Sequence, residues 1–284
     1  MPEVALQKGW VSVSPRRRLL VGLLAALLAV TMVVVGVRLI GGRAPVVDPS
    51  SRPAQDVPGA VVLVPGYGGS RDGLLTLAGR IEATTGRTAE VLTLAGDGTG
   101  DLSAQVAVLD ATVDDALASG APSVDVIGYS AGGVVAGLWV AREDGAARAR
   151  RVVTLGAPLA GTTVAGVAAA TNPDACPAAC RQLAPGSAEL AELDRARVGS
   201  TLPWLSVWTT DDETVTPPET ARLGGAVNVA VQSVCPGARV THTGLPTDPV
   251  VTGLVLQALT ADPLGGPDTG DCATLRAAGA GLSS

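Results

Sequence analysis

The chain of 284 residues contains no phenylalanine and only one histidine, and aromatic side chains make up 2% of it. Nucleic-acid-binding surfaces combine positive charge with aromatic groups that stack on bases. This chain is short of aromatics and lacks a basic patch on its main part, which argues against nucleic-acid binding. The single histidine, His242, and the absence of a Cys-x-x-Cys pair argue against a zinc-type metal site. We therefore expect no metal ion.

Charge is missing from one long stretch, Leu19 to Val37, which consists almost wholly of Leu, Val, Ala and Gly. A helix of this length, at about 1.5 Å per residue, nearly spans a hydrocarbon core of roughly 30 Å. Three arginines precede it, so the positive-inside rule predicts a cytoplasmic tail over residues 1–18 and a transmembrane anchor over 19–40. A cleaved signal peptide, which would give a secreted protein, is the alternative, although its apolar core is usually shorter.

Four prolines, at positions 45, 49, 53 and 58, predict an extended linker over residues 41–58. Residues 59–284 are then a single domain large enough to bury a sizeable core. The chain has a formal net charge of −6, and because its first 58 residues are net basic, the domain is the acidic part.

Apolar and amphipathic stretches alternate along this domain, which predicts an α/β fold with a mainly parallel central sheet and helices on both faces. The predicted strands lie near 60–64, 89–94, 123–127, 151–155, 204–209 and 226–231. The predicted helices lie near 72–84, 103–118, 131–143, 187–195 and 249–259. The connection from Leu159 to Leu202 is longer than an ordinary crossover, which predicts a short cap or lid insertion forming one wall of a substrate pocket.

The most specific signal is Gly-Tyr-Ser-Ala-Gly-Gly at residues 128–133, directly after the apolar run Val124 to Ile127. Gly-x-Ser-x-Gly between a strand and a helix is typical of a nucleophile elbow, whose cramped turn presents the serine hydroxyl at the sheet edge. Both flanking positions must lack bulk, a requirement that Gly128 and Gly132 meet. Ser130 is therefore the predicted nucleophile.

A serine hydroxyl needs a base to take its proton and a third group to orient that base. His242 lies downstream in a polar Thr-His-Thr-Gly stretch, and between it and Ser130 lies an acidic segment with Asp211 and Asp212. The order Ser, Asp, His is a known order of a catalytic triad. We expect one of the two aspartates to be a solvated loop charge.

These stretches resemble the small bacterial lipases and esterases of the α/β-hydrolase superfamily, especially secreted actinobacterial ones. The resemblance covers roughly residues 59–262 and is carried by the elbow, the His242 loop and the stretches 61–69, 95–102, 154–162 and 234–237. It implies an α/β-hydrolase fold and hydrolysis of carboxylic esters, as in triacylglycerol lipases, without a metal or an organic cofactor.

By this resemblance Ser130 is the nucleophile and His242 the general base. The family's acid loop reads Asp-x-x-Val-x-Pro, which fits Asp212 through Pro217 and does not fit Asp211. The family's usual histidine at the second elbow position is replaced by Tyr129, for which we expect a place at the pocket edge.

The tetrahedral intermediate of ester cleavage needs hydrogen-bond donors aimed at its oxyanion. One donor is expected to be the backbone N–H of Ala131, which follows the nucleophile. The resemblance places the other at Tyr67, because residues 65–69 occupy the position of the family's His-Gly-x motif. Leu159 and Val215, with Tyr129, are the predicted substrate-binding residues.

All four cysteines lie in the part predicted to be exported, and an even number there suggests two disulfides. Cys176 and Cys180 are close enough to close a small loop, which leaves Cys235 to pair with Cys272. Metal binding is the alternative for the four thiols.

The sequence thus predicts a single-pass membrane protein whose extracytoplasmic domain is a serine hydrolase acting on lipid or other acyl esters. An acyltransferase or thioesterase would use the same triad. A catalytically silent surface binding protein would share the fold, because fold does not guarantee function. The three triad residues, present in order, favour an enzyme.

Overall fold

The computed structural model describes residues 52–281, and its centre is a sheet of six parallel strands in the spatial order β2-β1-β3-β4-β5-β6. The strands are β1 (Ala60–Val64), β2 (Ala89–Val91), β3 (Val124–Tyr129), β4 (Ala149–Leu155), β5 (Trp204–Trp208) and β6 (Val227–Ala230). The predicted parallel sheet is confirmed. The second strand ends at Val91, before its predicted end at 94.

Helices connect these strands and cover both faces of the sheet. They are α1 (Asp72–Thr85), α2 (Leu102–Ala118), α3 (Ala131–Arg142), α4 (Gly145–Arg148), α5 (Thr163–Thr171), α6 (Ala178–Gln182), α7 (Ala188–Ala196), α8 (Val231–Val234), α9 (Pro249–Ala258) and α10 (Cys272–Ala280). Helices α1, α2, α3, α7 and α9 are the predicted ones. The others lack a long amphipathic pattern: α4 and α8, for example, have only 4 residues each.

The four inner strands, β1, β3, β4 and β5, contribute side chains to two separate cores, because neighbouring residues of a strand point to opposite faces of the sheet. Val62 and Val64 belong to the core formed with α2, α3 and α7. Val61 and Leu63 belong to the core formed with α1, α9 and α10. Burial on both faces explains why these strands appear in the sequence as continuous apolar runs.

The parallel register brings the carboxyl ends of the strands to one edge of the sheet. Tyr129, the last residue of β3, is paired with Leu155, the last residue of β4. Leu155 is in turn paired with Val207 of β5. The segments that follow these three strands therefore leave the sheet side by side, which is where ligands bind in open α/β sheets.

A group of buried charges lies at the opposite edge of the sheet. Asp125 of β3 accepts hydrogen bonds from Arg150 of β4, at 3.0 and 2.5 Å, and from Arg87, at 2.5 Å. Arg150 also donates to the carbonyl of Leu259, and Arg151 donates to that of Ala258. The arginines thus hold the carboxyl end of α9, where unpaired carbonyls favour positive charge.

Two disulfides join the four cysteines, as predicted: Cys176 with Cys180 and Cys235 with Cys272. The second joins the segment after α8 to the first residue of α10. Across residues 52–281, no group of His, Cys, Asp and Glu side chains is arranged to hold a metal ion.

None of the helices within residues 52–281 is both long enough and apolar enough to cross a membrane. The predicted cytoplasmic tail (1–18), the predicted anchor (19–40) and residues 41–51 of the predicted linker lie outside the described residues. They stay predictions.

Candidate active site

Ser130 occupies the sharp turn between the last residue of β3 and the first residue of α3. Its backbone has φ 52° and ψ −126°, and its N–H donates to the carbonyl of Leu155 at 2.8 Å. A non-glycine residue at positive φ is strained, and such strain persists where the surrounding structure imposes it, often at functional sites. The serine hydroxyl is thereby presented at the carboxyl edge of the sheet.

The glycines around Ser130 are required by close backbone contacts. A Cβ atom on Gly132 would lie 2.2 Å from the carbonyl oxygen of Val64. A Cβ on Gly128 would lie 2.5 Å from the Cα of Gly133. Neither position accepts a side chain without displacing backbone, so these two glycines let α3 pack directly against the strands.

The structure brings Ser130, His242 and Asp212 together, although they are far apart in the sequence. Ser130 Oγ lies 3.0 Å from His242 Nε2, and His242 Nδ1 lies 2.8 Å from Asp212 Oδ2. All three residues are buried, with 9%, 4% and 6% of their surface exposed, respectively. Asp211 instead lies 3.5 Å from Arg239, whose side chain is largely exposed. Of the two aspartates, Asp212 is the one that contacts the imidazole.

Asp212 is oriented by its own loop. Its Oδ1 atom accepts hydrogen bonds from the backbone N–H groups of Thr214, at 2.9 Å, and Val215, at 2.7 Å. Backbone donors to a carboxylate form strong, charge-assisted hydrogen bonds. With Oδ1 held in this way, Oδ2 is left to face His242.

His242 is held by the loops around it. Its backbone N–H donates to the Glu213 carboxylate at 3.4 Å, and its carbonyl accepts from the N–H of Leu245 at 3.2 Å. Gly156, which follows β4, has φ +56° and lies against the imidazole: a Cβ there would be 3.2 Å from His242 Nδ1 and 2.5 Å from Leu245 Cδ1. The site therefore has no room for a side chain at residue 156.

We expect Gly156→Ala to lower ester hydrolysis by on the order of 100-fold, because a shift of about 1 Å in a catalytic group has effects of that size. The positive φ should also destabilise the fold by about 1–3 kcal/mol. Gly86→Ala is the matched control, since Gly86 has φ +69° but nothing within 4 Å of its would-be Cβ. Rates of ester hydrolysis and urea unfolding curves, measured for both variants, check these two expectations. Equal activity in the two variants would contradict it.

Tyr129 makes contact with His242, which sequence reasoning did not predict. Its hydroxyl donates to the His242 carbonyl at 3.2 Å, and its ring centroid lies 5.2 Å from that of the imidazole. Burial, followed by the charges of Asp212 and Glu213, raises the pKa of Tyr129 to about 12. The phenol therefore stays protonated at neutral pH and continues to donate its hydrogen bond to the His242 carbonyl.

This pKa predicts a loss of stability at alkaline pH. An unfolded tyrosine has a pKa of about 10, so the raised folded value means that the stabilisation is complete below pH 10 and is lost as pH rises towards 12. We expect the free energy of unfolding to fall more steeply over this range in the wild type than in Tyr129→Phe. Urea unfolding at several pH values measures this free energy for both proteins. If the two plots of free energy against pH run parallel, the prediction is wrong.

The two expected oxyanion donors come from different segments of the fold. Ala131 begins α3, and Tyr67 lies in the loop after β1. Among residues 52–281, neither backbone N–H donates to a protein acceptor. The loop passes close to the nucleophile, because a Cβ on Gly66 would lie 3.0 Å from the Cβ of Ser130. Their role as oxyanion donors stays a prediction.

The long connection predicted as a cap contains α5, α6 and α7. Helix α7 packs on α3, where the Leu193 side chain would lie 3.0 Å from a Cβ on Gly137, so it belongs to the main fold. Helix α5 is apolar yet largely exposed, with Val164 at 51% and Val167 at 60%. The predicted lining residues Leu159 and Val215 are buried, with 5% and 1% of their surface exposed. Their contact with substrate stays a prediction.

Neither a protein-family model nor a curated protein sequence matches the chain. Solved structures do share its fold. Aspergillus fumigatus lipase B is 18% identical with a TM-score of 0.63, and the match covers 78% of this chain but only 57% of the lipase. The mature form of Bacillus licheniformis lipase BlEst2 is 18% identical with a TM-score of 0.60, and the match covers 77% of this chain and 96% of that enzyme. The chain therefore has an α/β-hydrolase fold.

Proposed function

We propose that this protein is a serine hydrolase that cleaves carboxylic esters of lipids or other acyl compounds. The observation that carries the proposal is the buried series of short contacts from Asp212 through His242 to the Ser130 hydroxyl. Such a series is recognised as a triad by its geometry and roles rather than by sequence position. The fold shared with two lipases supports an ester as the substrate.

In the first half of the reaction, Ser130 Oγ attacks the ester carbonyl carbon while His242 Nε2 takes the hydroxyl proton. Asp212 accepts the hydrogen bond from Nδ1–H, which keeps the imidazole in the correct tautomer and stabilises its cation. The tetrahedral intermediate then collapses, the C–O bond to the alcohol breaks, and Nε2–H protonates the leaving alkoxide. The product of this half is an acyl-serine.

In the second half, water takes the place of the alcohol. His242 Nε2 removes a proton from the water as its oxygen attacks the acyl carbon, and the same proton returns to Ser130 Oγ when the acid leaves. In both halves the backbone N–H groups of Ala131 and Tyr67 would donate to the oxyanion. The loss of one such donor typically costs about 3 kcal/mol of transition-state stabilisation.

The proposal is tested by two measurements on the purified 284-residue chain. A fluorophosphonate probe should label Ser130 in the folded protein and not in the denatured control, because labelling requires the activated hydroxyl. Turnover of p-nitrophenyl esters of rising chain length should accompany it and rank the acyl groups. Labelling without turnover would replace the hydrolase by an acyltransferase that needs its own acceptor. A folded protein that does not label would be a silent fold.

The disulfides suggest where the reaction takes place. Structural disulfides form and persist in oxidising compartments and are rare in the cytosol, and this chain has two. We propose that the catalytic domain acts outside the cytoplasm, either anchored through residues 19–40 or secreted after cleavage. Protease treatment of intact cells should degrade an exposed anchored domain. A domain that survives the protease and is also absent from the culture medium would argue against export.

A further inference from the structure

The segment that follows β4 touches the candidate triad at two places. At its start, Gly156 lies against the imidazole of His242. At its end, Thr162 lies against the loop that carries Asp212, residues 212–216, which we call the acid loop. Thr162 is 6% exposed and is the residue before α5, so its hydroxyl lies between α5 and the acid loop.

The Thr162 hydroxyl uses its full hydrogen-bonding capacity. Oγ1 donates to the carbonyl of Thr214 at 2.8 Å and accepts from the backbone N–H of Thr216 at 3.1 Å. It also accepts from the N–H of Val164 at 3.4 Å, as an N-cap of α5. One buried hydroxyl therefore holds both sides of the acid loop and the first turn of the exposed helix.

Thr214, one of the two loop residues bound by Thr162, also holds the Asp212 carboxylate. Thr214 donates its N–H to Asp212 Oδ1 at 2.9 Å while its carbonyl accepts from Thr162. Loss of the Thr162 hydroxyl would leave the Thr214 carbonyl and the Thr216 N–H without their side-chain partner, and the backbone would move to find new ones. Because Asp212 Oδ1 is bound to this backbone, its Oδ2 would move with it.

We infer that Thr162 is a positioning residue for Asp212, an inference that rests on the proposed function of the site. Its hydroxyl touches none of the reacting atoms. It fixes the acid loop so that Asp212 Oδ2 stays 2.8 Å from His242 Nδ1. Through Thr162, the first turn of α5 is joined to the acid of the candidate triad.

The test compares Thr162→Val, which replaces the hydroxyl by a methyl of similar shape, with Thr162→Ser, which keeps the hydroxyl. We expect kcat for p-nitrophenyl ester hydrolysis to fall about 10–100-fold in the valine variant with a smaller change in KM, since Thr162 acts on the reaction through Asp212 and the imidazole. The serine variant should keep most of the wild-type kcat. Thr171→Val is the matched control, because within the described part of the chain the Thr171 hydroxyl donates to the carbonyl of Val167, in α5 itself, and to nothing in the acid loop.

A second readout follows from the single histidine of the chain. Nitrogen-15 labelling of histidine gives one imidazole, and its Nδ1–H proton, held by a carboxylate, should resonate far downfield in the proton spectrum. We expect Thr162→Val to shift or broaden this signal, and Thr162→Ser and Thr171→Val to leave it in place. A role in stability alone would lower the melting temperature without moving the signal of the folded protein.

The outcomes separate this inference from the proposed function. An unchanged kcat and imidazole signal in a folded Thr162→Val variant would overturn the inference, as would equal impairment by serine and valine. If the wild type turns over no ester, the proposed function fails, but the imidazole signal still reports whether Thr162 positions Asp212. Should the valine variant not fold, Thr162→Ala, which only deletes atoms, takes its place with the same expectations.

Discussion

Ser130→Ala is expected to remove nearly all of the proposed ester hydrolysis, with kcat falling by roughly 10⁶-fold, the scale seen when a triad loses its nucleophile. The hydroxyl supplies the oxygen that bonds to the acyl carbon, and no neighbouring group replaces it. The substitution removes a single atom whose partner is His242 Nε2, so the elbow backbone keeps its conformation. Substrate binding and the two proposed oxyanion amides would remain, and a residual rate of about 10³–10⁴-fold over water is expected from them.

His242→Ala should lower kcat to the same level, and the double variant should fall no further, because residues that act as one unit are not additive. Ser233→Ala is the control, since Ser233 is exposed and, among residues 52–281, its hydroxyl has the carbonyl of Ala230 as its one partner. Initial rates of the variants with p-nitrophenyl esters test this expectation, and circular dichroism verifies that each variant is folded. A folded Ser130→Ala variant within about tenfold of the wild-type rate would identify another nucleophile.

Asp125→Ala should be the most destabilising single substitution at a charged position of the described domain. We expect the free energy of unfolding to fall by about 3–5 kcal/mol, the usual effect of removing one partner from a buried ion pair. Arg150 is fully buried and Arg87 is 10% exposed at its side chain, so neither guanidinium can regain water without opening the sheet edge. Most of the lost stability is the cost of these charges left without a carboxylate.

The neighbouring Arg151 increases the effect. Burial, followed by the charge of Arg150, lowers the pKa of Arg151, while Asp125 acts in the opposite direction. Without Asp125, three guanidinium groups share this edge of the sheet, and their remaining hydrogen-bond partners among residues 52–281 are carbonyl oxygens and the side chain of Gln55. Carbonyl dipoles offset part of the repulsion, which is why the fold is expected to survive with reduced stability.

Asp114→Ala provides a matched comparison. Asp114 also pairs with an arginine, at 2.6 Å from Arg148, but 62% of its side chain is exposed. An exposed ion pair typically contributes about 0–1 kcal/mol, so this variant should unfold close to the wild type. Urea unfolding of both variants under identical conditions gives the difference directly. If Asp125→Ala loses no more than Asp114→Ala, the buried charges are not a main source of stability.

The elements that could be predicted are those with a local signal. Helix α2 repeats its apolar residues on one side, and β1 is an uninterrupted apolar run, so both were located within one or two residues of their observed ends. Helix α5 was missed because its alanines and valines show no polar face, and it is exposed where such a composition predicts burial. The elbow was predictable because its glycines, serine and flanking strand are adjacent in the sequence.

By itself, the sequence determined the α/β architecture, the nucleophile candidate, the single available imidazole and the disulfide pairing, since each depends on local pattern or on a small number of choices. The acid-loop pattern of the resemblance favoured Asp212 over Asp211, and only the tertiary structure decided the contacts themselves, Asp212 with His242 and Asp211 with Arg239. It also decided the contacts of Tyr129 with His242 and of Thr162 with the acid loop. These partners are 113 and 52 residues apart. They meet because the parallel register aligns the carboxyl ends of the strands, so the segments that follow them pack together in a way no local pattern records.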